Sequence, residues 1–407
     1  LTKTKTFLML ALLAVGCLLL SGCAATMMGA GTGWSGPVVE DNVLYVGTAG
    51  GKLVSYNLES DPRPYAEEWW RFPPTGEPWP GGGEGGGGFG SFLACAPTTT
   101  TAIYSSPVVE GGMVYIGAYE GRVYALNSTS RLVGYSFPEE SAGEWVYPRE
   151  GEESIGDIVG SPVVAGGILY VGSADGNLYA IDTATGKLAW DRPLYESGDD
   201  IWATPLVDDG VVYIGSFDRN LYALNATDGT MLWAFEAKGA IVATPLIYSD
   251  TIYIGSFDRE FYAIDASTGK AKVGFTPFHA DNWFWGKAVA YDDTIMIGSL
   301  DGRIYALDAE SGESKWEYET GGSVRGDPAL IGDLAIFGSD NGRVYAINAS
   351  NGQEAWHYPT GEDYFGPIRA SLYAGDDEVY VYDTQNSKIF ALGAEHGDLL
   401  WSVSTLE

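Results

Sequence analysis

The chain has 407 residues and a formal net charge of −32, with abundant Gly (56), Tyr (26) and Trp (13). So acidic a surface repels phosphate backbones, which argues against nucleic acid as a partner and leaves basic proteins and divalent cations. Length alone suggests two or three domains, but a repeat near every 40 residues overrides that reading.

The first stretch reads as a targeting segment. Lys3 and Lys5 precede an apolar run from Phe7 to Leu20, short for a membrane span of about 20 residues. The run ends in Leu20-Ser21-Gly22-Cys23, which resembles the box of bacterial lipoproteins. That resemblance implies cleavage before Cys23 and a lipid on its thiol. Residues 1–22 are then a signal peptide and 23–33 a lipidated tether. Two or more acyl chains anchor firmly where one binds marginally. The alternative is a plain secretory signal that contains Cys23. Cys17 falls in the discarded part, so Cys95 is left alone and no intramolecular disulfide forms.

From Trp34 to the end, one unit is written eight times. Residues 202–237 show it best: four short apolar runs, rich in β-branched and aromatic residues, broken by Asp209-Gly210, Asp218-Arg219 and Asp228-Gly229. Such runs predict strands and such breaks predict turns. The copies begin at Trp34, Tyr104, Val159, Trp202, Val242, Trp285, Arg325 and Arg369. Each predicts a four-stranded antiparallel meander. Eight of them predict an all-β, eight-bladed propeller over 34–407, because each unit packs only on its neighbours and a ring removes long open edges. The fourth run carries a Gly and then a Trp, as in Gly186/Trp190, Gly229/Trp233, Gly312/Trp316, Gly352/Trp356 and Gly397/Trp401. Copy five has Val273 at the Trp position, and copies one and two are degenerate there. The repeated Trp is expected to pack between blades. Asp182, Asn225, Asp265, Asp308 and Asn348 are expected to close Asx-type turns. Asp218, Asp258 and Asp301 recur at one turn position, which points to backbone geometry and not to an active site. The first and last blades are expected to abut without a swapped strand.

Two connections between blades are long, and both are expected on one face. Residues 75–103 include Gly81 to Gly88, interrupted by Glu84, a flexible composition. The stretch lacks the Lys-Ser/Thr of a phosphate loop. Residues 139–159 are acidic, with Glu139, Glu140, Glu144, Glu150, Glu152, Glu153 and Asp157. They read as a solvated loop, with a partner-contacting or cation-binding loop as the alternative.

After the third run of copy three comes Ala180 to Trp190, with Asp182, Thr185, Gly186, Lys187 and Trp190 in the pattern D-x-x-T-G-K-x-x-W. This is similar to the PQQ-type propeller repeat shared by quinoprotein dehydrogenases and the outer-membrane assembly lipoproteins of the BamB family. The resemblance covers nearly the whole chain after Trp34. It implies the propeller fold, and it leaves enzymes, scaffolds and sensors open.

In this fold the starts of the first strands ring a central channel, so the eight leading residues define a funnel. Trp34, Tyr104, Trp202 and Trp285 offer aromatic faces, Arg325 and Arg369 offer charge, and Lys287 and Asp327 stand two residues further in. Such a funnel suits a flat anionic ligand. The related dehydrogenases bind PQQ with calcium, and the resemblance implies an Asp base, a carboxylate-and-amide calcium set and often a vicinal Cys pair. The chain has no adjacent Cys pair, and no such calcium set maps onto the strand-one starts. Asp327 is expected to pair with Lys287. His279, His357 and His396 are scattered, with no metal spacing and no nucleophile elbow. The resulting expectation is a non-catalytic, exported scaffold with neither cofactor nor metal. It is held to the cytoplasmic or outer membrane through Cys23, as a monomer within a larger complex of envelope proteins. The alternatives are a PQQ-dependent dehydrogenase and a glycan-binding propeller.

Overall fold

Every run of the repeat forms a strand of two to six residues. The computed structural model describes residues 33–58, 67–73, 102–129, 137–149, 151–190, 197–361 and 365–405. Consecutive strands pair antiparallel into eight four-stranded sheets, each a simple meander. The first strands begin at Val38, Val108, Val163, Leu206, Leu246, Val289, Ala329 and Tyr373, always at the same offset from the leading residue of the copy. The expected register therefore holds without a slip. Blade eight uses only the last four strands, so no strand is exchanged at the closure.

The second and third strands are buried on both faces, as in Val211–Gly215 and Asn220–Asn225. Each blade is sandwiched by its neighbours, so these strands read as continuous apolar runs and not as alternation. The fourth strand lies outermost and alternates, as in Met231–Glu236. Eight apolar clusters result, one at each boundary between neighbours, including blades eight and one.

Two small-to-large contacts repeat at these boundaries. In blades one to seven strand two carries a Gly near its end because a bulky side chain leading into the next blade lies against it. A Cβ on Gly215 would stand 2.3 Å from the Ile241 methyl. The fourth-strand Trp covers the Gly of the next blade's turn, and a Cβ on Gly269 would meet the Trp233 ring at 2.5 Å. The indole N–H then donates to a carbonyl beside that turn, as in Trp190 to Ala226 at 3.1 Å, Trp233 to Ala266 at 3.0 Å and Trp316 to Ala349 at 3.0 Å.

Blades one and two keep this device although their Gly-to-Trp pattern is degenerate in sequence. Trp70 donates to Ser128 O and Trp145 to Thr183 O, both at 2.8 Å. Trp145–Tyr147 is the fourth strand of blade two, so residues 139–159 are only partly an inter-blade connection. More residues separate the third strand from the Trp there than in the other copies, which hides the pattern. Glu144 from this acidic stretch is buried, and its carboxylate accepts the N–H of Asn127 (2.9 Å) and of Glu139 (3.0 Å). The buried Arg122 fastens the following loop by donating to the carbonyls of Pro148, Arg149 and Glu152. Residues 1–32, with Cys23 and the tether, and Gly81–Gly88 and Cys95 lie outside the described residues.

Candidate functional site

All eight leading residues line one cavity on the axis, together with Ser106, Ser161, Thr204, Thr244, Asp327 and Ser371. The lead-in to each first strand is extended, so residues two apart along it recur at the same depth in every blade. The second tier forms a polar belt. The N–H of Gly36 donates to Ser106 Oγ (2.9 Å), that of Ser106 to Ser161 Oγ (2.8 Å) and that of Ser161 to Thr204 Oγ1 (2.9 Å). On the far side the N–H of Asp327 donates to Ser371 Oγ at 3.4 Å. Asp327 meets Lys287 through the Lys287 backbone N–H, at 2.6 Å from Oδ1. The expected pairing with Lys287 is thus made through the backbone, and Lys287 is not among the residues lining the cavity.

The aromatic residues close the funnel more than they furnish it. Trp34 reaches Tyr104 edge-on at 4.8 Å and Trp285 at 6.3 Å, bringing blades one, two and six together. Trp202 turns to Phe217 at 4.6 Å. The cavity left is about 70 Å³. Arg325 and Arg369 converge on one carboxylate that sequence reasoning missed: their Nε atoms donate to Asp340 at 3.0 and 3.1 Å. Asp340 lies on the turn between strands two and three of blade seven, where blades four and five carry Phe217 and Phe257. The only signal for it was this break in the repeat. Arg325 also lies 5.8 Å over the Trp285 ring.

The mouth is electrostatically two-sided. Asp157 and Asp200 stand opposite the arginines, beside Tyr104, Tyr119 and Trp202. Burial raises the Asp157 carboxyl against the pull of the Tyr119 hydroxyl. Burial raises Asp200 too, helped by the charges of Asp199 and Asp157. Tyr119 is pushed up to about 12, by burial first and then by Asp157. Burial also pushes the Asp327 carboxyl up, against the Lys287 N–H and charge and the Ser371 hydroxyl.

The recurring turn aspartates are latches. Asp218, Asp258 and Asp301 each accept the N–H two residues on, the Tyr hydroxyl four residues on, and an N–H from the preceding connection. For Asp218, burial acts to raise the carboxyl, and the bonds from Tyr222, Asn220 and Gly198 outweigh it, leaving it low.

A tricyclic quinone with calcium does not fit this funnel. Ligand pockets of that kind run to about 300 Å³ or more, and this one is about 70 Å³. Both arginines already hold Asp340. Among the described residues no group of three His, Cys, Asp or Glu side chains is placed to hold a metal ion.

The family model for outer membrane protein assembly factor BamB matches residues 94–272 and 276–407. A solved structure of BamB from Moraxella catarrhalis superposes with a TM-score of 0.63 at 17% identity, covering 86% of this chain and 91% of that one. The computationally designed Ika8 protein superposes at 0.61 and 16% identity, covering 91% and 96%. A curated relative, the 1-butanol dehydrogenase (cytochrome c) of Thauera butanivorans, is 34% identical over 96 residues. That match spans 23% of this chain and 13% of the dehydrogenase. The two solved structures speak to the fold alone.

Proposed function

Because the chain belongs to the family of outer membrane protein assembly factor BamB, we propose that it is a non-catalytic, lipid-anchored propeller of the cell envelope that docks partner proteins. Docking uses the face onto which the funnel opens. The observation that carries this reading lies on blades four and five. Phe217 and Phe257 each stand two residues before an arginine, and Trp283 stacks on Phe257 at 4.5 Å and 12°. Arg219 and Arg259 have φ of 79° and 73°, where blades three and six have Gly176 and Gly302 at 81° and 87°. A non-glycine residue there costs on the order of 1 kcal/mol, and such strain clusters where a side chain is functionally required. Arg259 and neighbouring Lys238 are exposed. Aromatic and Arg side chains dominate protein-interface energetics. The opposite face presents the carboxylates of the turns between strands one and two, such as Asp208, Asp209, Asp292, Asp293, Asp376 and Asp377.

Lipid attachment at Cys23 holds this docking disc to a membrane. Where the cell has an outer membrane, the role is assembly of β-barrel proteins. The second reading, a PQQ-dependent dehydrogenase, is favoured by the 34% identical segment and opposed by the cavity volume. The test is photo-crosslinking of the full chain in its native envelope, with the probe at Phe217 or Phe257 and, as control, at Asp292. A discrete protein adduct from the aromatic face alone is expected, with loss of the chain from the membrane fraction in Cys23→Ser. Adducts of equal strength from Asp292 would overturn the docking face. Saturable PQQ binding with dye reduction on alcohols would overturn the non-catalytic reading.

A further inference from the structure

We propose that the floor of the funnel is a binding site for one small monovalent anion, of halide size or the head of a carboxylate. This goes beyond protein docking and does not depend on it. Ser106, Ser161, Thr204 and Ser371 each use their oxygen to accept a backbone N–H. A hydroxyl that accepts still has its hydrogen to give. The Ser371 hydrogen goes to the Asp327 carboxyl, but among the described residues the hydrogens of Ser106, Ser161 and Thr204 have no acceptor, and these side chains line the same cavity. The belt is therefore an arc of unused donors from blades two, three and four, facing the axis.

The charge on the wall has the matching sign. Among the described residues Arg325 and Arg369 donate only through Nε, both to Asp340, which leaves their terminal nitrogens free to donate and two positive charges against that carboxylate. The acid among the lining residues themselves is Asp327, whose Oδ1 is held by the Lys287 N–H. Burial pushes its carboxyl toward the uncharged form, in which it neither repels an anion nor attracts a cation. A cation would face two guanidiniums and hydroxyl oxygens already engaged by N–H groups. The size also fits: about 70 Å³ has room for a halide with ordered water, since one water needs only about 10–15 Å³ of such space.

The full chain is crystallised with sodium bromide, and binding is followed in solution by bromide quenching of Trp fluorescence at constant ionic strength. An anomalous bromide peak on the axis, in contact with Ser106, Ser161 and Thr204, is expected, with saturable quenching. Thr204→Val should weaken binding about tenfold or more, as for loss of a charge-assisted hydrogen bond, while Asp327→Asn should keep it. Formate is the second probe. Displacement of bromide by formate extends the site to carboxylate heads, and failure to displace confines it to halides. No axial peak in the unmodified chain, or a rubidium peak there in place of bromide, overturns the proposal. The peak in the unmodified chain decides the matter even where a variant fails to fold.

Discussion

Asp327 shows what one residue inside this ring contributes. It lies deep on the cavity wall, and burial raises its carboxyl above the ordinary carboxylate range. The folded state thus holds the proton to higher pH than the unfolded chain. Stability linked to this group is fully present below the unfolded value and is lost as pH rises through the folded one. Asp157 and Asp200 act in the same direction, and Asp218 and Asp308 in the opposite one. The contribution of Asp327 is therefore read as a difference between variants. Asp327→Asn keeps an oxygen for the Lys287 N–H and removes the titration. The gain in melting temperature of Asn over Asp should be larger near neutral pH than near about pH 4. An equal gain at both pH values would mean that Asp327 stays ionised. The sequence placed Asp327 on the right tier, because the repeat register fixes depth in the channel. It also paired the residue with Lys287, but left open through which atoms, because register says nothing about where a side chain points. Asp340 escaped for a related reason, since its two partners come from other stretches of chain and no local spacing links them.

At the scale of the element, blade five shows how the inter-blade device survives loss of its Trp. Val273 holds the Trp position and is 96% exposed. The chain departs from its own blade, and the N–H of Thr276 donates to Ser311 O of blade six at 2.9 Å. Phe275 then takes over the covering role. A Cβ on Gly312 would meet its ring at 3.0 Å, and it lies 6.0 Å from Tyr253, much as Trp233 lies 5.8 Å from Tyr213. The Tyr253 hydroxyl donates to Ala309 O at 2.7 Å, as the Tyr170 hydroxyl does to Ala226 O beside the Trp190 indole in blade three. Phe275 thus supplies the packing of the missing ring, and the tyrosine keeps the carbonyl without the indole. Phe275→Ala should cost roughly 3 kcal/mol as a large cavity in a packed interface. Tyr253→Phe should cost about 1 kcal/mol for the lost hydrogen bond. Chemical denaturation measures both, and a neutral Phe275→Ala would show that blade five is not held this way. The sequence exposed Val273 as the exception. The substitute stayed hidden because Phe275 stands two residues out of register, and a repeat alignment compares only aligned positions. The same blindness applies to Trp70 and Trp145, which stand further along the chain from their third strands than the repeat spacing allows.

For the whole molecule, the decisive boundary is the one that joins the two ends of the chain. Seven boundaries follow one pattern, with Gly ending strand two and a bulky residue before the next leading position, as in Gly215 and Ile241. At the closure the sizes are reversed. Tyr382 stands at the Gly position of blade eight, fully buried, and Gly33 precedes the leading Trp34 of blade one. The N–H of Ala49 donates to the Tyr382 hydroxyl at 2.9 Å, and Tyr373 donates to Val39 O at 2.6 Å. These bonds join residues 333 and 334 positions apart, and no exchanged strand reinforces them. The polar belt also has a gap here, because Gly36 carries no side chain to accept from blade eight, and a Cβ there would stand 2.8 Å from Ser371 O. Every other boundary is backed by continuous chain, so opening the ring requires this one to part. Tyr382→Phe removes the acceptor for Ala49 N–H and should cost about 1–3 kcal/mol, as for a buried donor left unpaired. Native-state hydrogen exchange should show the loss first in Val43–Gly47 and Leu399–Ser404, the strands of blades one and eight. Blade four, half a turn away, should keep its protection until the ring has opened. Equal loss of protection in all eight blades would show instead that the ring unfolds as one cooperative unit, with closure no weaker than any other boundary.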